Sequence, residues 1–338
     1  METTSITYGS DQSGLICGYV FDGNSSGRAI GTEDAKTWLR ERGRQEHGQF
    51  IWLHFNLANA NSEKWLKERA GLPDEFYETL HEGSRSTRIE HANGTLIAVV
   101  NDVLYNFSFN PSDISTLWAN VDEHVVITAR RHPLQSIDRL RGAVNKGEPI
   151  RSTVELLNHL LHDQADVLVN IVRDSIKRVD GIEDELLSGR LSRKRVDLGA
   201  LRRVLVRLQR LLAPEPAALF RLLQRPPGWI AENDVQELRQ STEEFSVVLN
   251  DMASLQERIK LLQEEVAARV NEENNRSLFV LTIVTVLALP INIMAGLFGM
   301  NVGGIPLAQN DNGFWIVVGI VVTFTALAGW IVFRRQQD

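Results

Sequence analysis

The spacing of hydrophobic positions changes character along the chain. Over the first 150 residues they alternate or run together in short stretches rich in β-branched and aromatic residues: Leu15–Phe21, Phe50–Leu57, Leu96–Tyr105, Leu117–Val121 and His124–Ala129. Such stretches predict β-strands, and Asn93-Gly94, lying between Arg88–His91 and Leu96, predicts a hairpin turn. Helical spacing appears at Ser62–Ala70, Asp74–Leu80 and Leu134–Asn145. Residues 1–150 are therefore expected to form an α+β domain with a largely antiparallel sheet.

After Pro149 the pattern is helical throughout. Val154, Leu157, Leu161, Leu168, Ile171, Ile176, Val179, Ile182 and Leu186 form one stripe, expected to close at Gly189. A second helix is expected over Val196–Leu212, and Pro214, Pro216, Pro226, Pro227 and Gly228 punctuate the segment after it. Ala231 to Leu289 then contains neither Gly nor Pro, and Phe245, Val248, Met252, Leu255, Ile259, Leu262 and Val266 recur at alternating threes and fours. That is a heptad seam on a stalk helix, one that reaches roughly 100 Å if it continues into the apolar stretch beyond.

The apolar stretch is long enough to matter. Ser277 to Asn310 carries no Asp, Glu, Lys, Arg or His, and Leu278–Phe298 alone spans roughly 31 Å as a helix, the thickness of a bilayer core. Phe314–Phe333 is a second span, ending at Arg334-Arg335. The expected organisation is an α+β domain over 1–150, helices over 151–230, a stalk continuing into the first span over 231–298, a loop over 299–313, a second span over 314–333 and a tail over 334–338.

Charge orients these spans. Arg269 and Arg276 precede the first, Arg334 and Arg335 follow the second, and the loop between has no Lys or Arg. Both termini are thus expected in the cytosol. The start, METTSITYGSDQSG, lacks a basic segment followed by an apolar one, so no cleavable secretion signal is expected. A net charge of −7 argues against a nucleic-acid partner and suits a chain that attracts cations. Residues 190–225 hold ten basic residues against two acids, and 226–275 eleven acids against four bases. This asymmetry admits two readings: neighbouring helices pair their charges, or an acidic stalk concentrates divalent cations. No phosphate loop, nucleophile elbow or HExxH motif is present, so neither an enzyme nor a resident cofactor is expected.

Within the first span Thr282, Thr285, Leu289, Asn292, Gly296 and Gly299 fall at spacings of three, four, three, four and three, with Leu278 one turn earlier. This small or polar face suits either the lining of a pore or a close helix–helix contact. Asn292 favours the pore, because an amide inside a membrane needs company or water. The run AGLFGMNVGGIP comes next (Ala295–Pro306). There Gly299, Gly303 and Gly304 free carbonyls where the helix ends, and Asn301 adds a neutral amide oxygen. Neutral oxygens hold the water shell of a cation without the grip of a carboxylate ring. Two helices cannot enclose a water-filled hole, so a homo-oligomer is expected.

Gly299-Met300-Asn301, between two C-terminal spans and after a long stalk, resembles the signature of the CorA superfamily of divalent-cation transporters. The longer FGMNVGGIP (Phe298–Pro306) is similar to its ZntB zinc-transport branch. The resemblance implies a funnel-shaped homopentamer in a bacterial inner membrane, with five copies of the first span around the pore and Gly299, Met300 and Asn301 at its periplasmic mouth. It also implies Zn²⁺ as the transported ion, with Cd²⁺, Ni²⁺ and Co²⁺ as further candidates, and proton-coupled uptake. Magnesium members resemble GMNFE followed by an acidic loop; here Val302-Gly303-Gly304 follows and Asp311 is the one acid to draw ions to the loop. Neither span holds an ionisable side chain, so coupled protons would have to act at Asp311, in the cytosolic domain or along water. A Mg²⁺ channel of the same architecture and a membrane-tethered metal sensor or scaffold are the alternatives.

One cytosolic cluster has ligand spacing. His159, His162, Asp163 and Asp166 lie at i, i+3, i+4 and i+7 on the first long helix, which suits either a zinc site or an ordinary polar face. Cys17, His54 and His124 are expected to pack within the α+β domain.

Overall fold

The computed structural model describes residues 9–23, 25–41, 48–82, 87–187, 194–300, 303–306 and 311–334. Gly189, Asn301, Val302 and Arg335 lie outside the described residues. The chain forms two compact units, Met1–Gln263 and Glu264–Asp338.

The first unit is built on a seven-stranded sheet: β1 (Leu15–Phe21), β2 (Arg28–Ile30), β3 (Phe50–Asn56), β4 (Arg88–Ala92), β5 (Thr95–Val103), β6 (Ile114–Val121) and β7 (Val125–Arg130), in the order β2-β1-β3-β7-β6-β5-β4. All neighbours are antiparallel except β3 and β7, which run parallel from Ile51↔Val125 to Asn56↔Arg130. The hairpin between β4 and β5 turns at Asn93 (φ 50°) and Gly94 (φ 81°), the two left-handed positions that a tight two-residue turn demands.

Helices cover both faces of the sheet. On one side α1 (Thr32–Arg40) and α2 (Ala60–Arg69) bury Ala35 and Leu66 against Ile51, Leu53 and Phe55, while α3 (Asp74–Glu82) sets Phe76 and Leu80 against Ile97, Val99 and Trp118. On the other, Phe21, Phe50, Trp52, Leu96 and Leu117 meet α4 (Gln135–Asn145), α5 (Thr153–Leu187) and α7 (Pro214–Gln224). Burial on both faces explains why β3 reads FIWLHFN, a continuous apolar run rather than an alternating one. Polar groups inside the sheet are matched to one another. Trp52 Nε1 donates to Thr128 Oγ at 2.9 Å, Arg130 Nε donates to His54 Nε2 at 3.1 Å, and His54 Nδ1, left to carry the imidazole hydrogen, sits 2.8 Å from the same Thr128 Oγ. Burial, with the Arg130 charge beside it, holds the His54 pKa well below the ordinary range, so the ring is neutral. His54 is thus an interior packing residue, as the sequence suggested.

The helices beyond are α6 (Lys194–Leu212), α8 (Glu232–Phe298) and α9 (Gly313–Arg334). Pro214 and Pro216, read as punctuation, instead open α7: the first turn of a helix has free N–H positions, where proline costs no hydrogen bond. Every seam position from Phe245 to Val266 is buried. Charge pairing between neighbouring helices runs from Arg258 of α8 to Asp180, at 2.8 Å, and to Glu183, both on α5. Between α6 and α8 Arg202 Nη1 donates to the neutral amide of Gln263 at 3.3 Å, a hydrogen bond rather than an ion pair between the basic stretch and the acidic one.

Replacing Thr128 by Val keeps the strand's β-branched shape but leaves Trp52 and His54 without their shared acceptor. The expected cost is about 1–3 kcal/mol for each orphaned donor. Denaturation of the full chain in detergent should show T128V well below wild type and T128S close to it.

Candidate functional site

The second unit contains the C-terminal part of α8, a connecting loop and α9. Two helices, α8 and α9, are long and apolar enough to cross a membrane. Pro290 lies inside α8 without ending it. Ile283, Leu287, Ile291 and Met294 are half-buried. Ile291, Met294, Ala295 and Phe298 line a crevice of about 540 Å³ together with Phe314, Val317, Val318, Val321 and Val322 of α9. That apolar stripe is the face α8 turns to its own hairpin partner.

Leu278, Thr282, Thr285, Leu289, Asn292 and Gly296 are all exposed, Leu278 at 59% and Leu289 at 56%. At 100° per residue their stripe is centred roughly 180° from the apolar one. The small and polar face therefore points away from α9. Thr282 Oγ donates to the Leu278 carbonyl and Thr285 Oγ to the Leu281 carbonyl, each at 2.8 Å. Because each hydroxyl hydrogen is used inside the helix, what these threonines turn outward is acceptor lone pairs. Asn292 adds an amide. The face is thus a ladder of neutral oxygens, able to accept hydrogen bonds from water around a cation.

At the end of the ladder Gly299 N–H donates to the Ala295 carbonyl at 3.0 Å, and a Cβ on Gly299 would lie 2.9 Å from that same oxygen. Glycine is therefore required there if the helix is to close without displacing its carbonyl. Met300 is half exposed, at 50%, and Asp311 is exposed where the chain re-enters α9. Asn301, the motif's amide, is outside the described residues.

The whole chain has known counterparts. Residues 47–335 match the family described as CorA-like Mg²⁺ transporter protein. The chain belongs to that family. Among curated relatives of this CorA-like chain is the divalent cation transporter CmaX of Pseudomonas aeruginosa, 30% identical over 97% of both chains. The zinc transport protein ZntB of Pectobacterium carotovorum subsp. carotovorum is 23% identical over 96% of both. Solved structures agree in fold: full-length CmaX at a TM-score of 0.79, 29% identity and 97% and 99% coverage of this chain and that one. The CorA magnesium transporter of Methanocaldococcus jannaschii reaches 0.75 at 20% identity, covering 94% and 97%.

In this CorA-like chain the four residues of ligand spacing on α5 do not converge. His159 Nδ1 lies 3.1 Å from Asp163 and its Nε2 lies 3.2 Å from Glu148, so the ring bridges two carboxylates on opposite sides. His162 is turned to Glu244 of α8 at 3.7 Å, and Asp166 to Arg139 of α4 at 3.8 Å. The hydrogen bond that His159 donates to Asp163, strengthened by the charges of Asp163 and Glu148, raises its pKa to about 9 against the cost of burial. A protonated imidazole has no lone pair for a metal. Among the described residues no group of three or more His, Cys, Asp or Glu side chains could hold a metal ion. Of the expected zinc cluster, only the His159–Asp163 contact is formed. Glu148, Glu244 and Arg139 were not legible as its partners, because they come from other elements with no shared spacing. Nor did the sequence single out the stripe facing α9, although its large apolar residues recur at threes and fours.

His159→Ala and His162→Ala are expected to leave the zinc stoichiometry of the purified full chain unchanged, measured by equilibrium dialysis. Because the folded pKa of His159 is raised above its unfolded value of about 6.5, its stabilisation is present in full below that value and is lost as pH rises through about 9. H159A should therefore lower the unfolding midpoint more at pH 6 than at pH 10.

Proposed function

We propose that this protein transports Zn²⁺ across a bacterial inner membrane, through a pore made by several copies of the chain, five on the pattern of the family. The observation that carries this reading is the ladder of Thr282, Thr285 and Asn292, exposed on the face of α8 opposite its own α9. In a bilayer such a face needs water or other polar groups, and a ring of copies around an axis supplies both. The ion would meet Gly299, Met300 and Asn301 first, with Asp311 drawing cations to the loop, and pass Gly296, Asn292, Leu289, Thr285, Thr282 and Leu278 in turn. Arg269 and Arg276 before the first span and Arg334 after the second support cytosolic ends.

Zinc as substrate is supported by FGMNVGGIP and by the ZntB relatives. A second reading, Mg²⁺, is favoured by the family's own description. The weakly acidic loop tips the choice to zinc, since Mg²⁺ gives up its waters reluctantly and profits more from nearby carboxylates.

Flux into proteoliposomes separates these readings. With Zn²⁺ and Mg²⁺ at equal free concentration, zinc uptake should persist; preferential magnesium uptake would reverse the assignment. Asn301→Ala is expected to abolish flux while leaving the assembly's size unchanged, whereas a tethered sensor would conduct neither before nor after the change. An inward-directed pH gradient should accelerate uptake, and indifference to the gradient would reject proton coupling.

A further inference from the structure

A carboxyl group is enclosed where β5, α5 and α7 meet. Glu215, in the first turn of α7, is fully buried, and Gln164 of α5 is 1% exposed. Gln164 Nε2 donates to the Asn101 carbonyl at 2.7 Å and to Glu215 Oε2 at 3.2 Å. Two acceptors at one end of the amide identify that end as the nitrogen; reversed, the amide would set oxygen against oxygen. The other atoms of the same pair, Gln164 Oε1 and Glu215 Oε1, are both buried and have no hydrogen-bond partner among the described residues.

With Glu215 ionised, both atoms are acceptors and neither can satisfy the other. A single proton on Glu215 Oε1 would answer both at once: the acid O–H would donate and the amide oxygen accept, adding a second hydrogen bond to the pair already joined through Nε2 and Oε2. We infer that Glu215 is a proton-binding site of the N-terminal unit, held as a neutral acid by its enclosure and joined through that proton to Gln164, and that releasing this proton loosens α7 from α5 and β5.

The surrounding charges agree. Asp102 of β5 is the ionised neighbour: its Oδ2 accepts from Ser136 N–H at 3.0 Å and from Ser136 Oγ at 2.5 Å, and its Oδ1 from Val103 N–H at 2.7 Å. Despite burial, those three donors limit its rise to about 6, with the Asp163 charge on α5 adding to it. Glu215 has one donor, Gln164, and burial together with the Asp102 charge pushes it up to about 8. Asn101, whose carbonyl takes the other Gln164 bond, donates from Nδ2 to Thr87 at 3.2 Å, and Thr87 donates to the Leu211 carbonyl of α6 at 3.0 Å, a neutral link. Among the described residues no lysine or arginine bonds Glu215. Two carboxyls with unequal donors thus divide one proton, and it resides on the poorer of the two.

Folding takes up this proton, so its contribution to stability is present at low pH and disappears as pH rises through about 8. The test uses the full chain in detergent without metal, so its outcome is independent of any transport assay. Infrared spectra of wild type at pH 7 should contain a protonated-carboxyl stretch that fades as pH rises through 8 and is absent from Glu215→Gln. Amide exchange in residues 214–224, corrected for the intrinsic rate, should quicken about tenfold or more between pH 7 and 9.5 in wild type and hardly change in E215Q, whose amide keeps a neutral pair. Gln164→Met should shift the stretch to the frequency of an unpaired acid. A wild-type spectrum lacking the acid band at pH 7, which an ionised Glu215 bridged by water would give, overturns the inference even if E215Q fails to fold. So does an identical exchange response in wild type and E215Q, or a band that Q164M leaves unmoved.

Discussion

A helix in hydrocarbon satisfies its own backbone but does not thereby satisfy its polar side chains, and the second unit is shaped by that difference. Thr282, Thr285, Thr323 and Thr325 all solve it locally, each hydroxyl donating to the carbonyl one turn back at 2.7–2.8 Å. Asn292 lies exposed and makes no such bond among the described residues. Its amide carries two donors and an acceptor at the depth where water is scarce, and α9 is on the opposite side of the helix. One chain therefore supplies a hairpin with a finished apolar seam and an unfinished polar face. A face of that kind calls for water or for polar groups from beyond the single hairpin.

The first unit is constructed on the contrary principle. Its sheet is covered on both faces, and polar groups inside it are set against one another in the Trp52–Thr128–His54–Arg130 chain. Charges along α5 are likewise committed: His159 to Asp163 and Glu148, Asp180 and Glu183 to Arg258. Commitment of this kind sets the polar side chains of α5 against one another rather than toward a shared ligand position, whereas a metal ligand must be deprotonated and free to turn its lone pair to the metal. Within α8, Lys260 pairs with Glu257 at 3.1 Å and Arg269 with Glu265 at 2.8 Å, so part of its acidic stretch is matched along its own helix.

Legibility in the sequence followed the range of the interaction that decides each feature. β3 and β7 were readable because burial on both faces leaves an unbroken apolar run, and the Asn93-Gly94 turn because its backbone tolerates few other residues. The length of α8 was readable because nothing between Ala231 and Leu289 interrupts a helix. β2, with three residues at the sheet edge, and α1, which buries only Ala35, are too short or too polar to carry a period. Pro214 and Pro216 marked the break after α6, but not that they open α7, because proline suits both a helix boundary and the first turn of the next helix. The polar ladder of the first span was visible as spacing, but its opposition to α9 needed the hairpin. The partners of His159, His162 and Asp166, and the pairing of Gln164 with Glu215, join residues far apart in sequence and left no local trace.

The parallel pairing of β3 with β7 carries a consequence for how the chain is made. Ile51 waits for Val125 and Asn56 for Arg130, so the middle of the sheet cannot close while the intervening segment is still on the ribosome. Before β7 is made, the sheet's available pairings are confined to β2-β1-β3 and β6-β5-β4, and β3 and β6 each lack a neighbour on the side that faces the future centre. Those edges are apolar on both sides and are the surfaces most in need of protection during synthesis. Both membrane helices are translated well after β7 has emerged. The order of translation thus lets the sheet seal itself before the bilayer captures the chain.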